Sequence, residues 1–90
     1  MYQIFYTRDS QDDLRKLDLA IAQRIVKKIN FFLHQTNPLQ FAKKLNNAHL
    51  GTYRFRVGLY RVVFDIDKKG QINILMILRI KHRKDIYNIN

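Results

Sequence analysis

The 90-residue chain has no cysteine, no tryptophan and no glutamate, and only one proline and three glycines. Without cysteine there is no disulfide scaffold, no thiol nucleophile and no cysteine-based zinc site. Without glutamate, all negative charge rests on seven aspartates, set against 17 lysines and arginines for a formal net charge of +10. Long apolar runs are missing too. The longest, residues 74–78, is five residues, far below the ~18 needed to span a bilayer. Residues 1–6 are too short and too polar for a secretion signal. A cytoplasmic setting with no membrane partner is expected.

What is present points to one small folded domain over residues 1–90. Hydrophobic residues make up 47% of the chain, too many for a disordered segment despite the charge. So high a net charge repels itself on folding and attracts polyanions. Nucleic acid, a membrane surface and an acidic protein are the partner classes that composition alone leaves open.

Pattern divides the chain at Gln35-Thr36-Asn37-Pro38, a polar break with a turn signal. Before it, Tyr2-Gln3-Ile4-Phe5-Tyr6 reads as a short strand. Ser10-Gln11-Asp12-Asp13 has capping-box spacing and opens a short helix to about Leu17, its two aspartates suiting the positive end of the dipole. Asp18 reads as a second N-cap. Ile21, Ile25, Ile29 and Phe32 follow as one apolar stripe at helical period. After the break, residues 41–45 fit either a helical turn or a loop. Tyr53, Phe55 and Val57 then alternate with Arg54 and Arg56, the pattern of a half-buried strand with one basic face. Residues 60–66 begin a second strand, residues 67–70 form a hairpin turn, and the nearly unbroken apolar run 72–80 predicts a strand buried on both faces. The expected fold class is α+β: a small antiparallel sheet of about four strands against an N-terminal helical hairpin.

The positive charge is locally clustered. Residues 46–64 hold three arginines and no acid, and residues 79–84 hold four basic residues and a histidine, again with no acid. An antiparallel sheet can bring the two stretches together. Arginine's planar fork suits phosphate, and Tyr53, Tyr60 and Tyr87 interleave with these cations as stacking surfaces. The plainer readings are that Lys27, Lys28, Lys43, Lys44, Lys68 and Lys69 are solvated faces and turns, and that Tyr53 and Tyr60 are core. His34 reads as a helix-end partner and His49 as a loop residue. Histidines this far apart, with no acidic cluster, give no metal site, and no cofactor-binding loop is present.

Gly51-Thr52-Tyr53-Arg54-Phe55-Arg56-Val57-Gly58-Leu59-Tyr60-Arg61-Val62-Val63-Phe64, with His82-Arg83-Lys84-Asp85-Ile86-Tyr87 at the end, resembles the RelE/ParE superfamily of toxins from bacterial and archaeal toxin–antitoxin pairs. Leu14-Arg15-Lys16-Leu17, Asn37-Pro38 and Lys43-Lys44-Leu45 add weaker matches over the rest of the chain. The resemblance implies a RelE-like fold. It also implies a toxin that inhibits translation as a ribosome-dependent, metal-independent mRNA endonuclease (an mRNA interferase). The implied partners are the ribosome, mRNA and an antitoxin whose acidic segment wraps the toxin. The alternative it implies is a ParE-like toxin that inhibits DNA gyrase and is no nuclease. Tyr87 falls at the family's catalytic tyrosine, Arg61 at the arginine of its second hairpin strand, and Lys81 and Arg83 in its basic C-terminal cluster. Arg54 and Arg56 stand where nucleases of the family carry lysines that hold RNA. Lys81 stands where those nucleases prefer an arginine, which leaves the roles within residues 81–83 open.

RNA can cleave itself when its 2′-OH attacks the neighbouring phosphorus. The reaction needs a base, cations for the phosphorane charge and an acid for the 5′-oxygen. Arg54, Arg56 and Arg61 can hold phosphate and stabilise the developing charge. Tyr87 or His82 is the candidate base, and Arg83 or Lys81 the group assisting the leaving oxygen. Tyr87→Phe and Arg61→Ala are each expected to abolish growth inhibition and leave the fold intact.

Overall fold

The computed structural model describes residues 2–46 and 51–86. Strand β1 (Tyr2–Tyr6) is followed by helices α1 (Arg8–Arg15) and α2 (Leu19–Leu33), a 3₁₀ turn (Pro38–Phe41) and a short strand β2 (Ala42–Lys44). Strands β3 (Tyr53–Val57), β4 (Tyr60–Lys69) and β5 (Ile72–His82) and a final helical turn α3 (Arg83–Ile86) complete the order. The sheet has five strands in the order β1-β5-β4-β3-β2. The α+β class and the N-terminal helices are as expected. Two features of the sheet are additional. Residues 42–44, expected as a helical turn or loop, instead form edge strand β2, with Ala42 opposite Phe55; the helical turn lies just before it at Pro38–Phe41. Strand β1 pairs parallel to β5, Tyr2 opposite Asn73 and Tyr6 opposite Ile77. A parallel pair needs a long crossover, and here nearly the whole chain provides it.

Helix α1 starts at Thr7 rather than Ser10. The Thr7 hydroxyl accepts the Ser10 N–H at 3.3 Å and donates to the Ile77 carbonyl at 2.7 Å, so one side chain caps the helix and fastens the end of β1 to β5. Ser10 is buried, its hydroxyl donating to the Thr7 carbonyl. Asp18 is the N-cap of α2, but its side chain makes no capping bond. Ile25, Ile29 and Phe32 of the predicted stripe are buried against the sheet, and Ile21 packs at their edge. Facing them are Phe55, Val57, Val62, Phe64, Leu75, Ile77 and Ile80. An aromatic chain runs through this core, with ring centroids 4.6 Å apart for Phe32 and Phe55 and 4.4 Å for Phe55 and Phe64.

The second face of the sheet is partly covered. Gly51, at φ +139°, crosses it so closely that a Cβ there would lie 2.6 Å from a Val63 methyl and 3.0 Å from Leu78. Only glycine fits this approach. The Thr52 N–H donates to Asp65 Oδ1 at 2.7 Å and fixes the crossing. Beyond it Arg56 is exposed. Among the described residues no helix is long and apolar enough to cross a membrane.

Candidate functional site

Strand register creates the site. Arg56 of β3 lies opposite Arg61 of β4, and Arg61 lies opposite Lys81 of β5. Residues directly opposite in antiparallel strands share a face with Cβ atoms about 4.5–5.5 Å apart. Three cations thus form one row across three strands. In the adjacent row Arg54, Val63 and Arg79 are opposite one another. Like charges placed this way repel, so other groups must hold them in place.

Arg61 is only 6% exposed, and its Nη1 donates to the carbonyls of Gly58 and Tyr60 at 3.3 and 3.2 Å. These contacts turn the guanidinium toward the β3–β4 turn. The other counterweight is Asp13 of α1, 4% exposed. Arg79 donates to it with a two-pronged fork, Nε at 2.9 Å and Nη2 at 3.2 Å. Lys81 Nζ lies 3.2 Å from Asp13 Oδ1, and the Ile80 N–H donates to Oδ2 at 2.9 Å. Strand β1 ends opposite Ile77, and α1 delivers its carboxylate to the stretch of β5 just beyond. Burial by itself would push the Asp13 carboxyl up. The hydrogen bonds from Arg79, the Ile80 N–H and Lys81 outweigh it and hold the group below the usual carboxylate range. The same Asp13 contact pushes the Arg79 guanidinium above its ordinary value.

Not every residue expected at the site is in the row. His82 follows Lys81 on a strand, so its side chain takes the opposite face. There its ring meets the edge of Tyr60 at 5.4 Å, and Nδ1 accepts the Lys84 N–H at 3.1 Å. Lys81 and His82 meet only at the end of β5, in a cleft of about 240 Å³ that Asp13, Lys16, Tyr60 and Asp85 also line. Arg83 opens α3; its N–H donates to the Leu59 carbonyl at 2.7 Å and its side chain is exposed. Tyr87 and His49 lie outside the described residues.

A family model for the ParE toxin of the type II toxin–antitoxin system parDE matches residues 4–87, the whole cation row included. The chain belongs to the RelE/ParE superfamily of type II toxins. It is 34% identical over 86 residues to the toxin RelG of Mycobacterium tuberculosis, covering 96% of this chain and 95% of that one. A chain of the RelBE2 toxin–antitoxin complex from the same organism superposes with a TM-score of 0.68 at 29% identity, over 91% of this chain and 98% of that one. A chain of the RelB–RelE antitoxin–toxin complex of Methanococcus jannaschii gives 0.54 at 27% identity, over 96% and 98%.

The basic surface of this toxin extends beyond the row. Arg24, Lys27 and Lys28 of α2 line a groove of about 560 Å³ with Phe31, Arg56, Val57 and Gly58. By pattern these lysines are an ordinary solvated helix face. Only the packing of α2 beside the β3–β4 turn joins them to Arg56. Asp13 and Arg79 were also missed as site residues: an aspartate in a first helical turn looks like a dipole partner, and nothing local points to a strand 66 residues away. Among the described residues no three metal-ligating side chains cluster.

Asp13 makes stability depend on acid. Because its folded pKa lies below the ordinary value of about 3.9, its contribution is complete above that value and is lost as pH falls through the lower folded one. In urea titrations the stability gap between wild type and Asp13→Asn is expected to narrow as pH falls from about 5 toward 2. A gap that stays constant over that range would show that the charge of Asp13 is irrelevant to the fold.

Proposed function

We propose that this toxin is a RelE-like, ribosome-dependent endoribonuclease that inhibits translation by cutting mRNA without a metal. The carrying observation is the row Arg56–Arg61–Lys81, three cations on one sheet face at adjacent-strand spacing. In this reading the 2′-oxygen bonds to phosphorus as the P–O5′ bond breaks, leaving a 2′,3′-cyclic phosphate and a 5′-hydroxyl. Arg61 and Arg56 stabilise charge on the non-bridging oxygens, with Arg54 beside them holding the RNA backbone. Lys81 or Arg83 assists the leaving 5′-oxygen. His82 turns toward Tyr60, away from the row, so the base is assigned to Tyr87. A phenol ordinarily titrates near pH 10, and work as a base at neutral pH calls for nearby cations that favour the phenolate.

The partner proposed besides ribosome and mRNA is an antitoxin with an acidic segment. A net charge of +10 calls for complementary charge to silence it, and the RelBE2 and RelB–RelE relatives are toxin–antitoxin complexes. These partners would place the toxin in the cytoplasm.

A second reading is favoured by the family model, which is that of a ParE toxin: inhibition of DNA gyrase without RNA cleavage. One experiment separates the two. mRNA 5′ ends are mapped in a translating extract with the purified toxin, and gyrase supercoiling is assayed in parallel. Cuts that require ribosomes and vanish in Tyr87→Phe are the expected result. Intact mRNA with blocked supercoiling would replace this reading with the second.

A further inference from the structure

We propose that Asp13 is a positioning residue for Lys81, so that helix α1 sets the geometry of one end of the cation row. The inference rests on the endoribonuclease reading above. Lysine is a point charge on a flexible four-carbon stem, and left alone on a strand it would sweep a wide volume. Asp13 can restrain it because Asp13 is itself fixed. It is 4% exposed and accepts two hydrogen bonds from Arg79 and one from the Ile80 backbone. Against that anchor Lys81 Nζ is held at 3.2 Å. An ammonium has three donors; one points to Asp13 and two remain for substrate oxygens.

The charge balance fits the same role. A carboxylate beside a phosphate site would normally repel the substrate. Here the Arg79 fork neutralises Asp13, so the three-residue cluster keeps one positive charge, carried by Lys81. Arg79 therefore serves the anchor, and Lys81 serves the RNA. A carboxylate needed only to dock α1 on β5 would be satisfied by Arg79 and the Ile80 N–H. The Lys81 contact is what links it to the row.

The test is single-turnover cleavage of mRNA on ribosomes by wild type, Asp13→Asn, Asp13→Glu, Lys81→Ala and the double variant Asp13→Asn/Lys81→Ala. Asp13→Asn is expected to slow cleavage by about ten- to a hundredfold, the scale of a misplaced group, with little change in the half-saturating ribosome concentration. Asp13→Glu should recover part of the rate. The double variant should be no slower than Lys81→Ala, because Asp13 acts through Lys81. If Asp13→Asn slows Lys81→Ala as much as it slows wild type, Asp13 is only structural and the proposal fails. If Lys81→Ala cuts like wild type, the proposal fails while the nuclease reading stands on Arg61 and Tyr87. If wild type cuts nothing, the nuclease reading falls and this role with it. Where a variant is inactive or unfolded, NMR of the wild-type lysine ammonium groups decides. The Lys81 ammonium should rotate more slowly than those of Lys68 and Lys69, and equal mobility would overturn the proposal.

Discussion

Arg61→Ala is expected to lower ribosome-dependent mRNA cleavage by about two to three orders of magnitude, the cost of deleting one preorganised donor to transition-state charge. Arg61 is central in the row, with Arg56 on one side and Lys81 on the other, so no neighbour can take its place without moving strands. From sequence the fold was expected to survive this change intact. Burial revises that expectation. Arg61 is 6% exposed and its guanidinium supplies the carbonyls of Gly58 and Tyr60. Its removal should also cost about 1–3 kcal/mol of stability. Thermal melts of the same preparations separate the two effects. Arg61→Lys, which keeps the charge and loses the fork, should fall between wild type and alanine in rate. Cleavage by Arg61→Ala within about threefold of wild type, at a temperature where both are folded, would remove Arg61 from the mechanism; that bound is small against the expected 10²–10³.

Phe55→Ala is expected to cost about 3–5 kcal/mol, a large share of the 5–15 kcal/mol typical of a whole domain. The ring is fully buried, with Phe32 at 4.6 Å and Phe64 at 4.4 Å. Alanine would leave a cavity between helix and sheet that neither ring can close. Chemical denaturation gives the value directly, and Phe55→Leu should retain most of it. A loss below about 1 kcal/mol would contradict a close-packed core at this point. Function should suffer as well, because Arg54 and Arg56 flank Phe55 on β3 and take their positions from how that strand is seated.

Features repeated along the chain were legible in the sequence. The stripe of α2 and the alternation of β3 each span enough residues to impose a period, and both carry the core as expected. The apolar run of β5 marked an interior strand, but not one buried on both faces: Leu75, Ile77 and Ile80 are buried, whereas Ile74, Met76 and Leu78 are only half-buried. The partner of β1 was not legible, because strand pairing between residues about 71 apart leaves no local trace. Strand β2, three residues long, is too short to show alternation. At the site, the gathering of two acid-free stretches by the sheet was anticipated, and register brings Arg56, Arg61 and Lys81 together. The placement of His82 was not legible, because the apolar run ends at residue 80 while β5 continues to His82, and only on a strand do Lys81 and His82 face opposite ways. Asp13 could not have been found, since its role exists only where α1 passes the free stretch of β5.

The parallel pairing of β1 with β5 also bears on how the toxin is made. A nascent chain emerges N-terminus first, so β1 is made before the other described strands, yet its neighbour in the sheet is the last of them to be synthesised. Lys81, at the end of that strand, and Asp13, near the start of the chain, meet only once both are out. A chain cut short before β5 would therefore lack one interior strand of the sheet, which is the partner of β1 and carries one end of the cation row. A toxin that acted on translation would thus acquire its activity only once β5 had been synthesised.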